Sequence, residues 1–243
     1  MGIVTYNGVT SNELGLIVQA TPSYTYAEKN ITFQHIVGRN GDLVINSKCY
    51  KNTTRTYYFA KVFRPGETYI STSKSITEWL HSANNYVRLE DTYEPDFYRM
   101  ALYKDPGTYT NYYDQASAFE VTFECKPQKW LKIGDSPLDL DNLTITNPTN
   151  FDAMPIFELP VTANVDVNLY VNGTLAIKIT GIESSDTIII DCENMECYSN
   201  TKNYNNNVEL TDMEFPILKG NTTFSFTITG STGAKIKPRW WTL

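Results

Sequence analysis

The stretch Phe119-Glu-Val-Thr-Phe-Glu-Cys-Lys-Pro127 marks the point where the chain changes character. Phe119, Val121, Phe123 and Cys125 alternate with Glu120, Thr122 and Glu124, the period-2 pattern of a strand with one face buried and one in water. Lys126-Pro127 is expected to stop that strand, since proline cannot donate to a ladder and biases its predecessor away from regular structure. Residues 1–130 hold 13 Lys+Arg against 13 Asp+Glu, and residues 131–243 hold 7 against 14, so the whole net charge of −7 lies in the second part. Of the 17 tyrosines, 14 precede Pro127. Two domains of different surface chemistry are expected, 1–131 and 132–243, each large enough to bury its own core.

Composition sets the outer limits. The chain is 41% hydrophobic and 19% charged, with a mean hydropathy of −0.34, as expected of a soluble globular protein. No apolar run approaches the roughly 18–20 residues that a membrane helix needs. Met-Gly-Ile-Val-Thr-Tyr-Asn-Gly at the N-terminus lacks the basic-then-apolar order of a secretory signal. A pI near 4.9 argues against gripping nucleic acid through phosphate contacts.

Outward from the opening stretch, nearly everything reads as short strands. Asn7-Gly8 follows Ile3–Tyr6, and Asn40-Gly41 separates Ile31–Val37 from Leu43–Ile45. Asn172-Gly173 sits inside Leu169–Leu175; all three pairs suit tight primed hairpin turns. Thr56–Phe63, Thr187–Asp191 and the alternating run around Phe224, Phe226 and Ile228 add further strands, and 200–207 reads as a polar loop. One segment differs. Ser75-Ile-Thr-Glu78 has capping-box spacing, and Ile76, Trp79, Leu80 and Ala83 follow as one apolar stripe, which predicts a short helix ending at Asn84-Asn85 and covering a sheet face.

Phe97–Tyr103 and Phe119–Cys125 read as two arms of one hairpin, joined by the connection Lys104–Ala118 with a turn signal at Asp105-Pro106-Gly107. Connections of this length are usually functional or mobile. Tyr103, Tyr109, Tyr112 and Tyr113 make this one amphipathic and mark them as candidate subunit-interface residues; a surface loop is the other reading.

Catalytic signatures are missing. There is no Gly-x-Ser-x-Gly elbow, Gly-x-Gly-x-x-Gly turn, Walker loop or His-Glu-x-x-His. Acids such as Glu90-Asp91 and Asp139/Asp141 read as solvated surface rather than a glycosidase pair. Cys49, Cys125, Cys192 and Cys197 do not suggest a disulfide framework, and Cys192/Cys197 lack the second pair that a zinc site needs. His35 falls on a strand pattern and His81 on the helix pattern. The expectation is a non-enzyme with no catalytic, cofactor-binding or metal site.

An ordered set of motifs runs along the chain: Gly38-Arg39-Asn40-Gly41, Trp79-Leu80, Asp91 with Tyr98-Arg99-Met-Ala101, and Phe119–Pro127. It continues with Asn147-Pro148, Pro155-Ile156, Val171-Asn172-Gly173, Ile190-Asp191, Phe215-Pro216, Leu218-x-Gly220-Asn221 and Pro238-Arg239-Trp240-Trp241-Thr-Leu243. In this order the chain resembles the distal tail proteins (the Dit hub of the baseplate) of long-tailed, non-contractile phages. The resemblance implies a mainly β protein of two β-sandwich domains. The first would form a ring, with one short helix and an extended hairpin arm that embraces a neighbouring subunit. The second would be galectin-like, similar to a carbohydrate-binding module. It also implies a virion protein at the tail tip, made in the host cytoplasm, whose homohexameric ring joins the tail tube protein to the tail-tip protein and lets DNA pass. Receptor-binding proteins are further implied partners; a membrane and specific nucleic-acid binding are not. Family members with inserted sugar-binding modules run much longer than this chain. Trp130, Trp240 and Trp241 would stack on sugars in a second reading, a monomeric lectin-like protein of host-wall recognition, and pack the domain ends in the first.

Overall fold

The structure, a computed structural model, describes residues 2–104, 107–113 and 115–243. The chain is mainly β and divides into two compact units, Met1–Lys129 with Leu243, and Trp130–Thr242. No helix among the described residues is long and apolar enough to cross a membrane.

In the first unit the backbone of the architecture is the strand Ala116–Leu131. It pairs antiparallel with Thr53–Val62, from Ala116 opposite Val62 to Cys125 opposite Thr53. The sheet continues through Phe97–Tyr103, Val87–Asp91, Val4–Tyr6 and Val9–Thr10 on one side and Ile17–Val18 on the other. The alternation seen in the sequence sets the faces: Phe119, Val121, Phe123 and Cys125 are buried, and Glu120 is exposed. The strand does not stop at Lys126-Pro127 as expected; it runs on to Leu131. The Thr53–Val62 ladder ends at Cys125, so on that side no carbonyl waits for the N–H that Pro127 lacks.

The helix spans Tyr69–Leu80 rather than beginning near Ser75. Thr68 is its cap: the Ser71 N–H donates to Thr68 Oγ1 (3.1 Å) and the Thr68 N–H donates to Ser71 Oγ (3.1 Å). A serine at the third helical position thus replaces the Glu of the usual capping box. Ser75 lies inside the helix and donates to the Ser71 carbonyl. Ile76, Trp79 and Leu80 are buried as the stripe predicts. Trp79 stands edge-on to Tyr6 and Phe59, with ring centres 6.2 and 6.1 Å away, and its indole N–H donates to the Tyr6 carbonyl (3.3 Å). Burial of a side chain this large contributes about 3 kcal/mol.

The second unit is two five-stranded sheets. One runs Leu138–Asp139, Lys235–Lys237, Ile156–Val161, Asp186–Asp191, Glu196–Tyr198; the other runs Thr144–Thr146, Thr223–Thr229, Val167–Val171, Thr174–Ile179, Val208–Leu210. Phe157, Ile188 and Ile190 from the first meet Leu169, Ile177 and Phe226 from the second in one core, with Phe157 and Phe226 ring centres 6.2 Å apart. This is a β-sandwich. Asn172 and Gly173 close a two-residue hairpin with φ of 52° and 79°, and Asn7 and Gly8 do the same with 50° and 80°. Asn40-Gly41 behaves differently. The link there is eight residues, 35–42, and Gly38 and Gly41 carry the positive φ values.

Candidate functional site

No group of three or more metal-ligating side chains occurs among the described residues, and all four cysteines are free. Cys49 is exposed; burial pushes the Cys125 and Cys197 thiols up to about 12, so neither is a thiolate nucleophile at neutral pH. What the molecule offers is surface.

Lys29–Gln34 and Leu43–Tyr50 form a separate two-stranded sheet. Phe33 lies opposite Val44, and Thr32 opposite Ile45, so Phe33 and Val44 share one face while Leu43 and Ile45 occupy the other. Both faces are in water: Phe33 is 66% and Val44 53% exposed on one, Leu43 38% and Ile45 46% on the other. An isolated hairpin is marginally stable in water, and contiguous exposed apolar side chains mark interaction sites. The sequence reading treated this segment as an ordinary hairpin. The signal that distinguishes it is apolar residues on both faces of a strand pair, with neither face wholly polar.

Part of the connection expected to be the arm pairs within the sheet. Tyr109–Tyr112 pairs with Ala116–Phe119. Tyr109 accepts from Ser117 Oγ (2.7 Å), and its ring lies 5.1 Å from Phe119 and 5.0 Å from Tyr69. Tyr103 packs edge-on against His81 (5.2 Å) and accepts from the Gly107 N–H (3.0 Å). Of the four tyrosines, these two are half-buried, whereas Tyr112 and Tyr113 are 50% and 94% exposed. Asp105-Pro106, in the expected turn, and Asp114 lie outside the described residues.

Asp91 is not solvated surface. Its carboxylate is buried, accepting from Arg55 Nη2 (2.8 Å), the Tyr57 hydroxyl (2.6 Å) and the Tyr93 and Glu94 N–H groups (2.9 Å each). Glu94 joins Arg55 (3.1 Å), Arg99 (2.6 Å) and Lys129 (3.3 Å). Burial pushes both carboxyls up, but the hydroxyl, guanidinium and backbone donors at Asp91, and the Arg99, Arg55 and Lys129 charges at Glu94, outweigh it and hold both below their ordinary values. The Glu90-Asp91 reading as surface failed because register placed Asp91 on the inner face beside a cation from another strand.

In the second unit a groove of about 430 Å³ is lined by Asp152, Asn172, Asp212, Glu214, Phe215 and Lys219, among others. Trp130 and Trp240 are buried, and Trp241 stacks on Phe151 at 4.5 Å with its N–H on the Asp152 carbonyl.

No protein-family model matches the chain, and no curated protein sequence matches it. Among solved structures it is similar to the crystal structure of the Dit protein (gp 19.1) of SPP1, described as a paradigm of the hub adsorption apparatus in phages that infect Gram-positive bacteria. The TM-score is 0.66 at 12% sequence identity, over 97% of each chain. The chain therefore has a Dit-like fold, spanning both units.

Proposed function

We propose that the chain is a non-enzymatic structural subunit of a phage tail hub. Residues 1–131 would assemble a homohexameric ring at the tail tip, between tail tube and tail-tip proteins, with an axial passage for DNA. Residues 132–243 would form a galectin-like domain available to receptor-binding proteins. The observation that carries this reading is a Dit-like fold over nearly the whole chain. The exposed hairpin of residues 29–50 supports it, because apolar side chains on both of its faces need a partner surface. Tyr112 and Tyr113 remain candidate interface residues; Tyr103 and Tyr109 hold the adjoining strand in place. Light scattering coupled to size exclusion tests the proposal: a species of six times 27.6 kDa is expected. A monomer at every concentration would instead favour the lectin-like reading, for which the groove in the second unit is the place to look.

A further inference from the structure

Three asparagines in the chain are followed by glycine: Asn7, Asn40 and Asn172. All three are exposed, so access to water does not separate them. Their tethering does. Asn172 Oδ1 accepts from the Ser225 N–H (2.9 Å) and the Asn172 N–H donates to the Ser225 carbonyl (2.8 Å), while Val171 and Thr174 pair on either side of the turn. Asn7 is held in the same way. Its side-chain amide donates to Ser82 Oγ (3.2 Å), its N–H donates to the Arg88 carbonyl (3.1 Å), and Tyr6 pairs with Val9 across the turn. In both places a two-residue turn fixes the backbone and a segment distant in sequence fixes the side chain.

Asn40 has neither restraint. It lies in the eight-residue link 35–42, where His35 and Asp42 approach to 3.3 Å and the Arg39 N–H donates to the Ile36 carbonyl (3.2 Å). Asn40 and Gly41 themselves make no hydrogen bond among the described residues. Gly41 has a φ of 79°, and a Cβ built on it would meet nothing within 4 Å, so no packing holds this dipeptide.

We propose that Asn40-Gly41 is a self-modification site, where the folded chain turns an amide into a carboxylate by deamidation. The Gly41 nitrogen passes its proton to water and attacks Asn40 Cγ. The N–Cγ bond forms, the Cγ–Nδ2 bond breaks, and ammonia leaves with a proton taken from water. A second water then opens the cyclic imide. Opening at Cγ leaves aspartate at position 40; opening at the backbone carbonyl leaves isoaspartate, with the chain routed through the side chain. Glycine is the partner this closure needs, because no Cβ keeps its nitrogen from the side-chain carbon. Closure also needs the two reacting atoms in a near-attack arrangement, and a displacement of about 1 Å costs roughly 100-fold in rate. The tethers at Asn7 and Asn172 hold those pairs out of that arrangement. The product at Asn40 carries a net charge of −7 − 1 = −8.

The test incubates the full chain in mildly alkaline buffer, folded and in parallel in urea, until the unfolded sample has converted at all three pairs. Ion exchange separates the charge variants, and tandem mass spectrometry of their peptides locates the conversion. In the folded chain Asn40 is expected to convert roughly 100-fold faster than Asn7 or Asn172. Asn40→Gln, at an exposed side chain without partners, is expected to keep its fold and to lose the −8 species. In urea the three rates should converge, because the fold is what separates them. An Asn40 that stays intact in the folded chain, or an Asn7 or Asn172 that converts there as fast, would overturn the inference. Either result leaves the hub reading untouched.

Discussion

Arg55 and Asp91 meet at 2.8 Å with side chains 3% and 2% exposed, and each comes from a different strand of the first unit. Two charges taken this far out of water are tolerable only because every remaining lone pair is occupied. Asp91 Oδ1 takes the Tyr93 and Glu94 N–H groups, while Oδ2 takes Tyr57 and Arg55. The second unit repeats the device less deeply, where the buried Asp191 accepts from the Glu193 N–H (3.0 Å) and the Arg239 guanidinium (3.1 Å).

Removing one partner of the buried pair strands the other. Asp91→Ala is expected to cost about 3 kcal/mol in denaturant unfolding, and Arg55→Leu combined with Asp91→Leu clearly less than Asp91→Ala alone. A loss below about 1 kcal/mol for Asp91→Ala would contradict the assignment.

Acid should loosen the same region. The folded values of Asp91 and Glu94 are depressed, so the stability they contribute is complete above the ordinary carboxylate range, about pH 4, and is lost as pH falls through the lower folded values. Unfolding midpoints measured from pH 6 downward should hold steady and then drop below about pH 4. In Asp91→Asn that drop should be shallower; an identical profile would count against the carboxylate.

Replacing residues 31–46 with a two-residue Asn-Gly turn should leave a folded protein by circular dichroism, since almost none of those side chains is buried. Oligomers should disappear. Electron micrographs showing rings from that variant would rule the hairpin out as the assembly element.

Expressed apart, residues 1–131 should assemble and residues 132–243 should remain monomeric. The hairpin and the neutral charge balance belong to the first fragment. The second carries all the excess negative charge, and six copies would repel within a Debye length of about 8 Å. Light scattering on the two fragments decides this: a monomeric first fragment, or a second that assembles, would refute it.

Local chemistry alone determined a good part of this protein. The alternation from Phe119 to Cys125 predicts which side chains are buried, because a strand's period of two is a property of its backbone. Asn172-Gly173 predicts its hairpin, because few other pairs accept two positive φ angles in succession. Ile76, Trp79 and Leu80 predict a buried helix face. Tertiary structure decided the rest, wherever the outcome depended on a neighbour distant in sequence. Pro127 does not end its strand because the adjacent ladder has already finished. The helix starts just after Thr68, where Ser71 completes a reciprocal cap that a search for Glu at that spacing overlooks. Asp91 is buried because Arg55, 36 residues away, neutralises it. Tyr109 turns inward because its strand finds Phe119, whereas Phe33 and Val44 stay in water because nothing among the described residues covers them. Periodicity states that a residue is apolar; only the packed molecule shows whether a surface exists to bury it.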